Sequence, residues 1–477
     1  MWRLFYNIVL LIVSPLIVAV LLAKPRCRPG LLQRLGLEEG SSGFSRLFSL
    51  FGFLERNKPD QPDKRNKPDQ PVIWIHAVSL GEVVAVTPLV NELHRRHPAY
   101  RLVVSTVTET GREAVDQRLA GVADHCYAPL DFPWAVSRFI ERLQPCLYLF
   151  VETELWPNLL WHLRRRGVPT ALVNGRLSSR SFARQQWAPV RSFYRTMLQT
   201  LTLCLMQSDR DVDRIVALGA DVSRVRRTGN IKFDQPMPDV AEGETTRAHL
   251  GLQDTEQLFV AGSTHPGEEE ILVECYQALV ARYPSAVLLL APRHIERAES
   301  VEAMIRARGL TVQRRSTIGQ AGVSRSTGPR VVVLDSRGEL AAIYREAVVA
   351  FVGGTLVPIG GHNLLEPAQW AKPVLFGRYT DHCAEIADLL IQAGGGRRVL
   401  QAEDLTKQVM VLFSDGEERE RMGRSARQVV EQNQGALQRT LEAIDRLLTP
   451  QQGASGSPLT NRPHPLMAEK SGTYSGR

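Results

Sequence analysis

The stretch 72–82, VIWIHAVSLGE, contains the transition that decides the fold. It begins with a short apolar run rich in β-branched residues, which is typical of a strand. Gly81 permits a tight turn, and Glu82 then opens an amphipathic segment that continues to Arg96. A buried strand followed directly by a helix predicts a βαβ unit within a parallel sheet.

The same alternation of apolar runs and amphipathic segments continues along the chain. It predicts strands of a first domain at 72–77, 101–107, 125–130, 146–152, 169–174 and 202–207. It starts again after a polar stretch, with strands at 258–263, 286–292, 330–335, 348–354 and 373–377. We therefore expect an α/β fold with two Rossmann-like, doubly wound domains, 72–240 and 241–430, facing each other across a cleft. Ligands of such sheets bind outside the carboxyl ends of the strands.

The C-terminal part of the chain reads as helix followed by a tail. A long helical region is predicted from Asp404 to Leu448, and within it the segment 431–449 is expected to return to the first domain. Residues 450–477 are rich in Pro, Ser and Gly and are predicted to form a disordered tail.

The N-terminal segment 1–24 is predicted to be a membrane anchor. Residues 4–23 carry no charged side chain and are long enough to cross a bilayer core. Basic residues are concentrated after this run, so the positive-inside rule places the rest of the chain in the cytoplasm. A buried helix, or a monotopic anchor held in one leaflet, is the alternative, which Pro15 leaves open. The following segment, 25–71, is a basic, Pro-rich stalk in which NKPDQP occurs twice.

Composition excludes several classes of protein. The chain has 477 residues, 44% of them apolar and 23% charged, as in a globular protein with a buried core. The net charge of +8 is too small to indicate a nucleic-acid partner, and much of it lies in residues 1–71, with 11 Lys or Arg against 6 Asp or Glu. The six cysteines form no C-x-x-C pair, which argues against a zinc site or a disulfide framework. Neither a P-loop nor a G-x-G-x-x-G or G-x-S-x-G motif is present at the required place.

Three carboxylates follow predicted strands of the first domain. Glu82 lies at a helix N-terminus, whose dipole favours the ionised form, and it could accept a proton from a hydroxyl. The alternative is that Glu82 only supports the helix terminus. Glu152 and Glu154 follow another strand, where one could be catalytic and the other structural. Glu152 could instead pair with an arginine, for which Arg176 and Arg180 are candidates, although these arginines could equally hold the phosphates of an acceptor.

Three glycine-rich or basic turns follow strands of the second domain. Ser263 and Thr264 precede a helix whose N-terminus favours a phosphate, and Arg293 ends the next strand with a fixed cation. A third turn contains Gly360 and Gly361 and leads into a helix. There Asn363 and Glu366 are three residues apart and share one helical face. Such turns are common singly, but three on one sheet edge predict a site for a phosphorylated ligand.

Taken in order, the motifs resemble one enzyme family. They are HAVSLGE, VETELWPN, NGRLSSRS, TGNIKFD, STHPGEEE, APRH and FVGGT…GGHNLLEP. Over about residues 1–448 the series resembles 3-deoxy-D-manno-octulosonic acid (Kdo) transferases of lipopolysaccharide synthesis. The resemblance implies a GT-B fold, a CMP-Kdo donor, a lipid IVA acceptor, and no metal or other cofactor. It also implies an enzyme anchored at the inner membrane with its catalytic domains on the cytoplasmic face.

The resemblance also assigns roles to residues of this chain. It implies that Glu82 is the general base and that Glu152 and Lys232 support the transition state. The positions that match CMP-contacting segments are Pro292, Arg293, Arg337, Gly338, Glu339, Asn363, Leu364, Leu365 and Glu366. The expected phosphate loops contribute Ser263, Thr264, Gly360 and Gly361. Direct attack of the acceptor hydroxyl would invert the anomeric configuration.

Two other functions compete with this interpretation. One is a GT-B enzyme that uses a UDP-sugar for another lipid or peptidoglycan step. The other is a catalytically inactive, membrane-tethered scaffold, against which the joint presence of Glu82, Lys232, Arg293 and Glu366 speaks. The number of Kdo units transferred, the acyl chains of the acceptor and the oligomeric state stay open at this level.

Overall fold

A computed structural model of the chain describes residues 1–23, 30–36, 70–237, 246–319 and 328–449. The predicted tail lies outside the described residues. So does most of the predicted stalk, including both NKPDQP copies except for the final Gln70 and Pro71. The polar stretch between the two predicted domains is described only up to residue 237 and again from residue 246.

The first domain is built on a seven-stranded, all-parallel sheet. Its strands are β1 Val72–His76, β2 Arg101–Thr106, β3 Asp124–Tyr127, β4 Pro145–Val151, β5 Thr170–Gly175, β6 Leu203–Met206 and β7 Val225–Arg227. They lie in the order β3-β2-β1-β4-β5-β6-β7. The helices in this half of the chain are α1 Trp2–Ala23, α2 Leu31–Arg34, α3 Leu80–Arg96, α4 Glu109–Arg118, α5 Pro133–Leu143, α6 Pro157–Arg165, α7 Ser179–Gln185, α8 Ala188–Leu198 and α9 Asp209–Ala217.

Strand β1 shows why the sheet reads as unbroken apolar runs. All its residues are buried. Ile73 and Ile75 pack in a cluster with α3, whereas Trp74 between them packs in a second cluster with α5 and α6. Side chains alternate between the two faces of a strand, so both faces of this sheet are covered.

The second domain repeats this plan. Its strands are β8 Gln257–Thr264, β9 Ala286–Pro292, β10 Val312–Arg314, β11 Arg330–Val333, β12 Ala347–Val352, β13 Val374–Phe376 and β14 Gly396–Arg398. They are parallel and lie in the order β10-β11-β9-β8-β12-β13-β14. The helices are α10 Thr246–His249, α11 Glu268–Arg282, α12 Ala298–Ala307, α13 Leu340–Ile343, α14 Leu365–Gln369, α15 Ala384–Gln392, α16 Ala402–Ser414, α17 Gly416–Asn433 and α18 Ala436–Leu448. The prediction of two parallel α/β domains is confirmed.

Three strands were missed by the sequence analysis. They are β7, β10 and β14, each three residues long and each containing arginine. All three are outermost strands of their sheets, and most of their residues are partly or fully exposed. An apolar run is therefore the wrong signal for them.

The predicted long helix of the C-terminal region is interrupted twice. Asp415 ends α16 and caps α17, because its carboxylate accepts the backbone N–H of Glu418 at 2.9 Å. Gly435, with φ 88°, makes the second break. The last helix, α18, then packs into the core of the first domain, where Leu441 and Ile444 are buried.

Helix α1 is docked on the first domain by its first two turns. The Trp2 indole N–H donates to Ser192 Oγ at 3.0 Å, and the Tyr6 hydroxyl donates to Asp131 Oδ2 at 2.9 Å. The Tyr6 ring also stacks on Phe193 of α8. The other side of α1 presents a row of exposed apolar side chains, Leu4, Phe5, Ile8, Val9, Leu11, Ile12, Val13 and Leu16.

None of the helices in the described parts of the chain is both long enough and apolar enough to cross a membrane. The predicted membrane-spanning anchor at 1–24 is therefore not supported.

Candidate active site

Each sheet has one point at which the strand order reverses, and several of the predicted site residues lie there. In the first sheet the reversal lies between β1 and β4, and Glu82 and Glu152 follow these strands. In the second sheet it lies between β8 and β12, which are followed by His265 and by the turn leading to Asn363. A crevice for ligands opens at such switch points, so the fold itself selects these loops.

Glu82 lies in the first turn of α3 and folds back over the turn that follows β1. Its Oε2 accepts the backbone N–H of Val78 at 2.8 Å, and its Oε1 accepts the Ser79 hydroxyl at 3.2 Å. The carboxylate is half-buried. These contacts hold it in place and leave room on its oxygens for a further donor.

The pKa of Glu82 is raised to about 7, chiefly by burial and further by the carboxylates of Glu152 and Glu154. The N–H of Val78 and the hydroxyl of Ser79 oppose this rise. The helix N-terminus was expected to favour the ionised form, but loss of solvation and like charges outweigh it. A carboxyl group with a pKa near neutrality is suited to exchange a proton at physiological pH.

Glu152 forms an ion pair with Lys232, with Nζ and Oε1 3.3 Å apart. Glu152 adopts a left-handed backbone conformation, φ 58°, directly after β4, and this turns it out of the strand direction. Lys232 sits in a short 3-10 turn, Ile231–Asp234, that leads out of the first domain. The structure thus brings together two residues that are 80 positions apart in the sequence.

The arginine partner considered for Glu152 is engaged elsewhere. Arg176 donates to the backbone carbonyls of Asp381 at 2.6 Å and His382 at 3.0 Å. Because Asp381 and His382 belong to the second domain, Arg176 ties the two domains together on one side of the cleft. Among the described residues, Glu152 pairs with Lys232 and with neither Arg176 nor Arg180, so the predicted arginine pairing of Glu152 is wrong.

Asn363 and Glu366 lie together at the start of α14, as their spacing predicts. Asn363 Nδ2 donates to Glu366 Oε1 at 3.2 Å and lies 3.4 Å from the side-chain oxygen of Gln235. Burial raises the pKa of Glu366 to about 6, against the opposing effects of Asn363 and Arg293. Leu364 and Leu365 are buried and fix this turn to the sheet.

Arg293 and Thr264 end two neighbouring strands of the second sheet. The backbone N–H of Arg293 donates to the Thr264 carbonyl at 3.0 Å, so the two loops leave the sheet side by side. Among the described residues, the exposed Arg293 guanidinium has no hydrogen bond or ion pair, although it lies close enough to Glu366 to lower the pKa of that carboxyl. Ser263 adopts a positive φ of 56°, and Gly360 and Gly361 have φ of 107° and 85°. These conformations bend the backbone at the switch point.

The predicted CMP segment that contains Arg337 follows β11, which β9 separates from β8 at the switch point. Arg337 is exposed and donates to Glu296 Oε1 at 3.1 Å, while Gly338 has φ 89°. Glu339 pairs with Arg315 at 2.8 Å. The side chains of Arg337 and Glu339 are thus already partnered, and Gly338 offers only backbone to a ligand.

Glu268 is a site residue that the sequence analysis missed. It is fully buried at the start of α11. Its Oε2 accepts the N–H of Gly354 at 2.7 Å and of His265 at 3.0 Å, and its Oε1 accepts those of Thr355 and Leu356, each at 2.9 Å. One carboxylate therefore clamps the loops after β8 and β12 together. The three glutamates of GEEE were a signal for it, because three acids in a row exceed what a helix terminus requires.

No group of three or more His, Cys, Asp or Glu side chains in the described residues is arranged to hold a metal ion. The five described cysteines, Cys126, Cys146, Cys204, Cys275 and Cys383, are free thiols. Cys27 lies outside the described residues.

Comparison with known proteins decides the family. The chain is 35% identical over 449 residues to the 3-deoxy-D-manno-octulosonic acid transferase of Haemophilus influenzae, covering 93% of this chain and 98% of that protein. The chain belongs to the Kdo transferase family. The Kdo transferase of Bordetella pertussis is 36% identical over 384 residues, or 78% of this chain and 86% of that protein. The family model described as 3-deoxy-D-manno-octulosonic-acid transferase matches residues 46–235.

A solved structure outside the Kdo transferases shares the overall architecture. The UDP-GlcNAc 2-epimerase of Neisseria meningitidis superposes with a TM-score of 0.55 at 14% identity, over 79% of this chain and all of that one. At this identity the likeness concerns the fold alone. This Kdo transferase family member therefore has two α/β domains, each with one parallel sheet, and its fold resembles that of GT-B glycosyltransferases.

Proposed function

We propose that this protein transfers Kdo from CMP-Kdo to lipid IVA with release of CMP and inversion at the anomeric carbon. The observation that carries the proposal is the placement of Glu82, with a pKa of about 7, at the switch point of one sheet. The loops suited to phosphate lie at the switch point of the other sheet. Acceptor activation and donor binding are thus assigned to different domains.

The second domain is suited to hold the donor. CMP-Kdo carries a phosphate on the anomeric carbon, and negative charge grows on that phosphate as the bond breaks. Arg293 offers an exposed guanidinium at the loop next to Thr264, and Lys232, held by Glu152, lies at the domain junction. Fixed cations aimed at the developing charge stabilise the transition state. Glu366, with Asn363 beside it, offers carboxylate oxygens to the ribose hydroxyls.

The first domain is suited to activate the acceptor. Deprotonated Glu82 takes the proton of the attacking hydroxyl as that oxygen bonds to the anomeric carbon. Glu152 keeps Lys232 in place at 3.3 Å and raises the proton affinity of Glu82. Attack from the face opposite the phosphate inverts the configuration.

We further propose that the protein acts at the inner membrane, on its cytoplasmic face, and an exposed apolar surface of the first domain supports membrane attachment. The exposed row of α1 includes Leu11 and Ile12, which are 66% and 71% exposed. Nearby, α8 contacts α1 and begins next to Trp187, which is 68% exposed. From residue 155 to 208 the chain has eight arginines and no acidic residue. An exposed apolar row on a domain with an arginine-rich segment favours a membrane surface with anionic lipids, and the proposed acceptor is itself an acylated, phosphorylated lipid.

The transferase activity is tested by incubating the protein with CMP-Kdo and lipid IVA and analysing the products by mass spectrometry. We expect lipid IVA to gain one or more Kdo mass increments and CMP to be released in equal number. Replacing CMP-Kdo by UDP-sugars should give no product. Lipid IVA that stays unmodified with CMP-Kdo, or that gains a sugar from a UDP donor, would contradict the proposal.

Membrane attachment is tested by co-sedimentation with phosphatidylethanolamine vesicles, with and without phosphatidylglycerol. We expect Ile12→Glu to lower the bound fraction strongly, because burying a carboxylate in the lipid interface costs several kcal/mol. Leu400→Glu is the matched control, since Leu400 is an exposed apolar residue of the other domain. Equal binding of both variants and the wild type would argue against α1 as the attachment face.

A further inference from the structure

Two histidines form a hydrogen-bonded pair at the switch point of the second sheet. His265 follows β8, and His362 precedes Asn363. Their Nε2 atoms are 2.8 Å apart, and their rings are nearly parallel, with 4° between the planes. A neutral imidazole has one donor and one acceptor nitrogen, so one ring donates its Nε2–H to the other. A single proton therefore lies between the two Nε2 atoms.

The pair is built into the same loops that the donor would occupy. Glu268 holds the backbone N–H of His265, and the same carboxylate holds the N–H of Gly354. The backbone at Gly354 lies so close to the His362 ring that an added Cβ would approach it to 3.0 Å. Both histidines are thus fixed in position. Within the described residues the Nδ1 atom of neither ring has a hydrogen-bond partner.

The surroundings keep the pair uncharged in the unliganded protein. Burial lowers the pKa of His362 to about 4, with further lowering by His265, Arg293, His382 and His294. The pKa of His265 is lowered by burial and by His294, Arg293 and Arg297, and Glu269 opposes this. The charges around the pair are therefore mostly positive. An anion bound among them would instead favour the protonated form of the pair.

We propose that the His265–His362 pair takes up one proton when the donor phosphate binds and passes it to the leaving phosphate oxygen. An imidazolium that donates to a neutral imidazole forms a strong, charge-assisted hydrogen bond, so the pair can hold the added proton without moving. This inference rests on the proposed function, since it needs a phosphate beside Arg293 and Asn363.

The step balances in protons and electrons. The bond between the anomeric carbon and the phosphate oxygen breaks, and its electron pair goes to that oxygen, which receives the proton of the pair. The acceptor oxygen bonds to the anomeric carbon, and its proton goes to Glu82. CMP leaves in protonated form, the pair returns to neutrality, and Glu82 releases its proton to solvent.

The test is calorimetric titration of the full chain with two cytidine ligands, in buffers of different ionisation enthalpy, slightly above neutral pH. The ligands are CMP and its methyl phosphodiester, which has no second phosphate ionisation and cannot itself take up a proton. The dependence of the heat on the buffer counts the protons taken up. We expect the wild type to take up about one proton with the diester, as a group whose pKa rises on binding requires.

His265→Gln and His362→Gln should bind the diester without proton uptake. His94→Gln is the control, because His94 is an exposed histidine in the last turn of α3 in the other domain, and it should behave as the wild type. Binding of the diester to the wild type without proton uptake would overturn this inference alone. If the wild type bound neither ligand, the proposed donor would fail together with it.

Turnover gives a second readout. The protonated pair is lost as pH rises, so the wild type should lose kcat at alkaline pH. In His265→Gln and His362→Gln we expect kcat to fall by about 10²-fold or more, without that alkaline limb and with little change in the KM for CMP-Kdo. Variants that kept the alkaline limb and wild-type kcat would contradict the proposal.

Discussion

At the scale of single residues, Glu82 and Glu268 occupy equivalent places in the two domains but differ in what surrounds them. Each lies in the first turn of the helix that follows the first strand of its domain. Glu268 accepts four backbone N–H groups, which use its oxygens completely. Glu82 accepts one backbone N–H and one hydroxyl and faces two other carboxylates. The Glu268 carboxylate is therefore structural, whereas the Glu82 carboxylate can exchange protons.

The first residue-scale prediction concerns Glu82→Gln. The amide keeps the shape of the side chain but cannot take a proton, so we expect kcat to fall by about 10²–10⁴-fold while CMP-Kdo binding is unchanged. Steady-state kinetics and donor titration measure the two effects. Glu403→Gln, an exposed acid in the first turn of α16, is the control and should keep wild-type turnover. Near wild-type kcat in Glu82→Gln would show that another group is the base.

The second residue-scale prediction concerns pH. Glu82 must be ionised to act as a base, and its pKa is about 7. The value of kcat/KM should therefore decline as pH falls through about 7. Glu154→Gln removes one of the carboxylates that raise the pKa of Glu82 and should move this decline to lower pH. A profile in which the decline stays in place, or moves upward, would contradict the electrostatic account.

At the scale of elements, the loops after β8 and β12 depend on the buried carboxylate of Glu268. In Glu268→Gln the amide NH₂ faces backbone donors that need an acceptor. We expect the free energy of unfolding of the second domain to fall by about 2–4 kcal/mol. Urea unfolding followed by tryptophan fluorescence and circular dichroism measures it. Glu274→Gln, exposed on the same helix, should change stability by less than about 0.5 kcal/mol. Equal stability of the two variants would show that the clamp is unimportant.

At the scale of the whole molecule, the last helix of the chain belongs to the first domain. Helix α18 follows the second domain but is buried in the core of the first, where Ile444 lies in one cluster with residues of α3 and β1. Asp234 fastens the return, because its carboxylate accepts the N–H of Gly435 at 2.6 Å and of Leu437 at 2.7 Å. The chain therefore passes from the first domain to the second and then returns to the first.

Ile444→Ala should destabilise the first domain although it lies far from that domain in sequence. Removing a large aliphatic side chain from a closed core costs about 2–5 kcal/mol. Hydrogen exchange at the amides of β1 and β2 would report the loss locally. Leu448→Ala, at the partly buried end of the same helix, should have a smaller effect. Unchanged exchange in β1 after Ile444→Ala would mean that α18 adds little to the first domain.

Much of this arrangement follows from local patterns. The inner strands are apolar runs, and Glu82, Asn363 and Glu366 stand at their predicted turns because a turn is defined by neighbouring residues. The short edge strands were missed because they are not apolar. The pairing of Glu152 with Lys232 and the use of Arg176 at the domain junction were missed because both join residues distant in sequence.

The sequence by itself determined the two α/β domains, the family and the loops that carry the site, since hydrophobic periodicity and motif order are local properties. Only the tertiary structure decided the pKa of Glu82, the four-bond clamp of Glu268 and the proton shared by His265 and His362. Each of these depends on burial and on charges brought close by other strands. Desolvation and short-range Coulomb interactions exist only once the chain is folded.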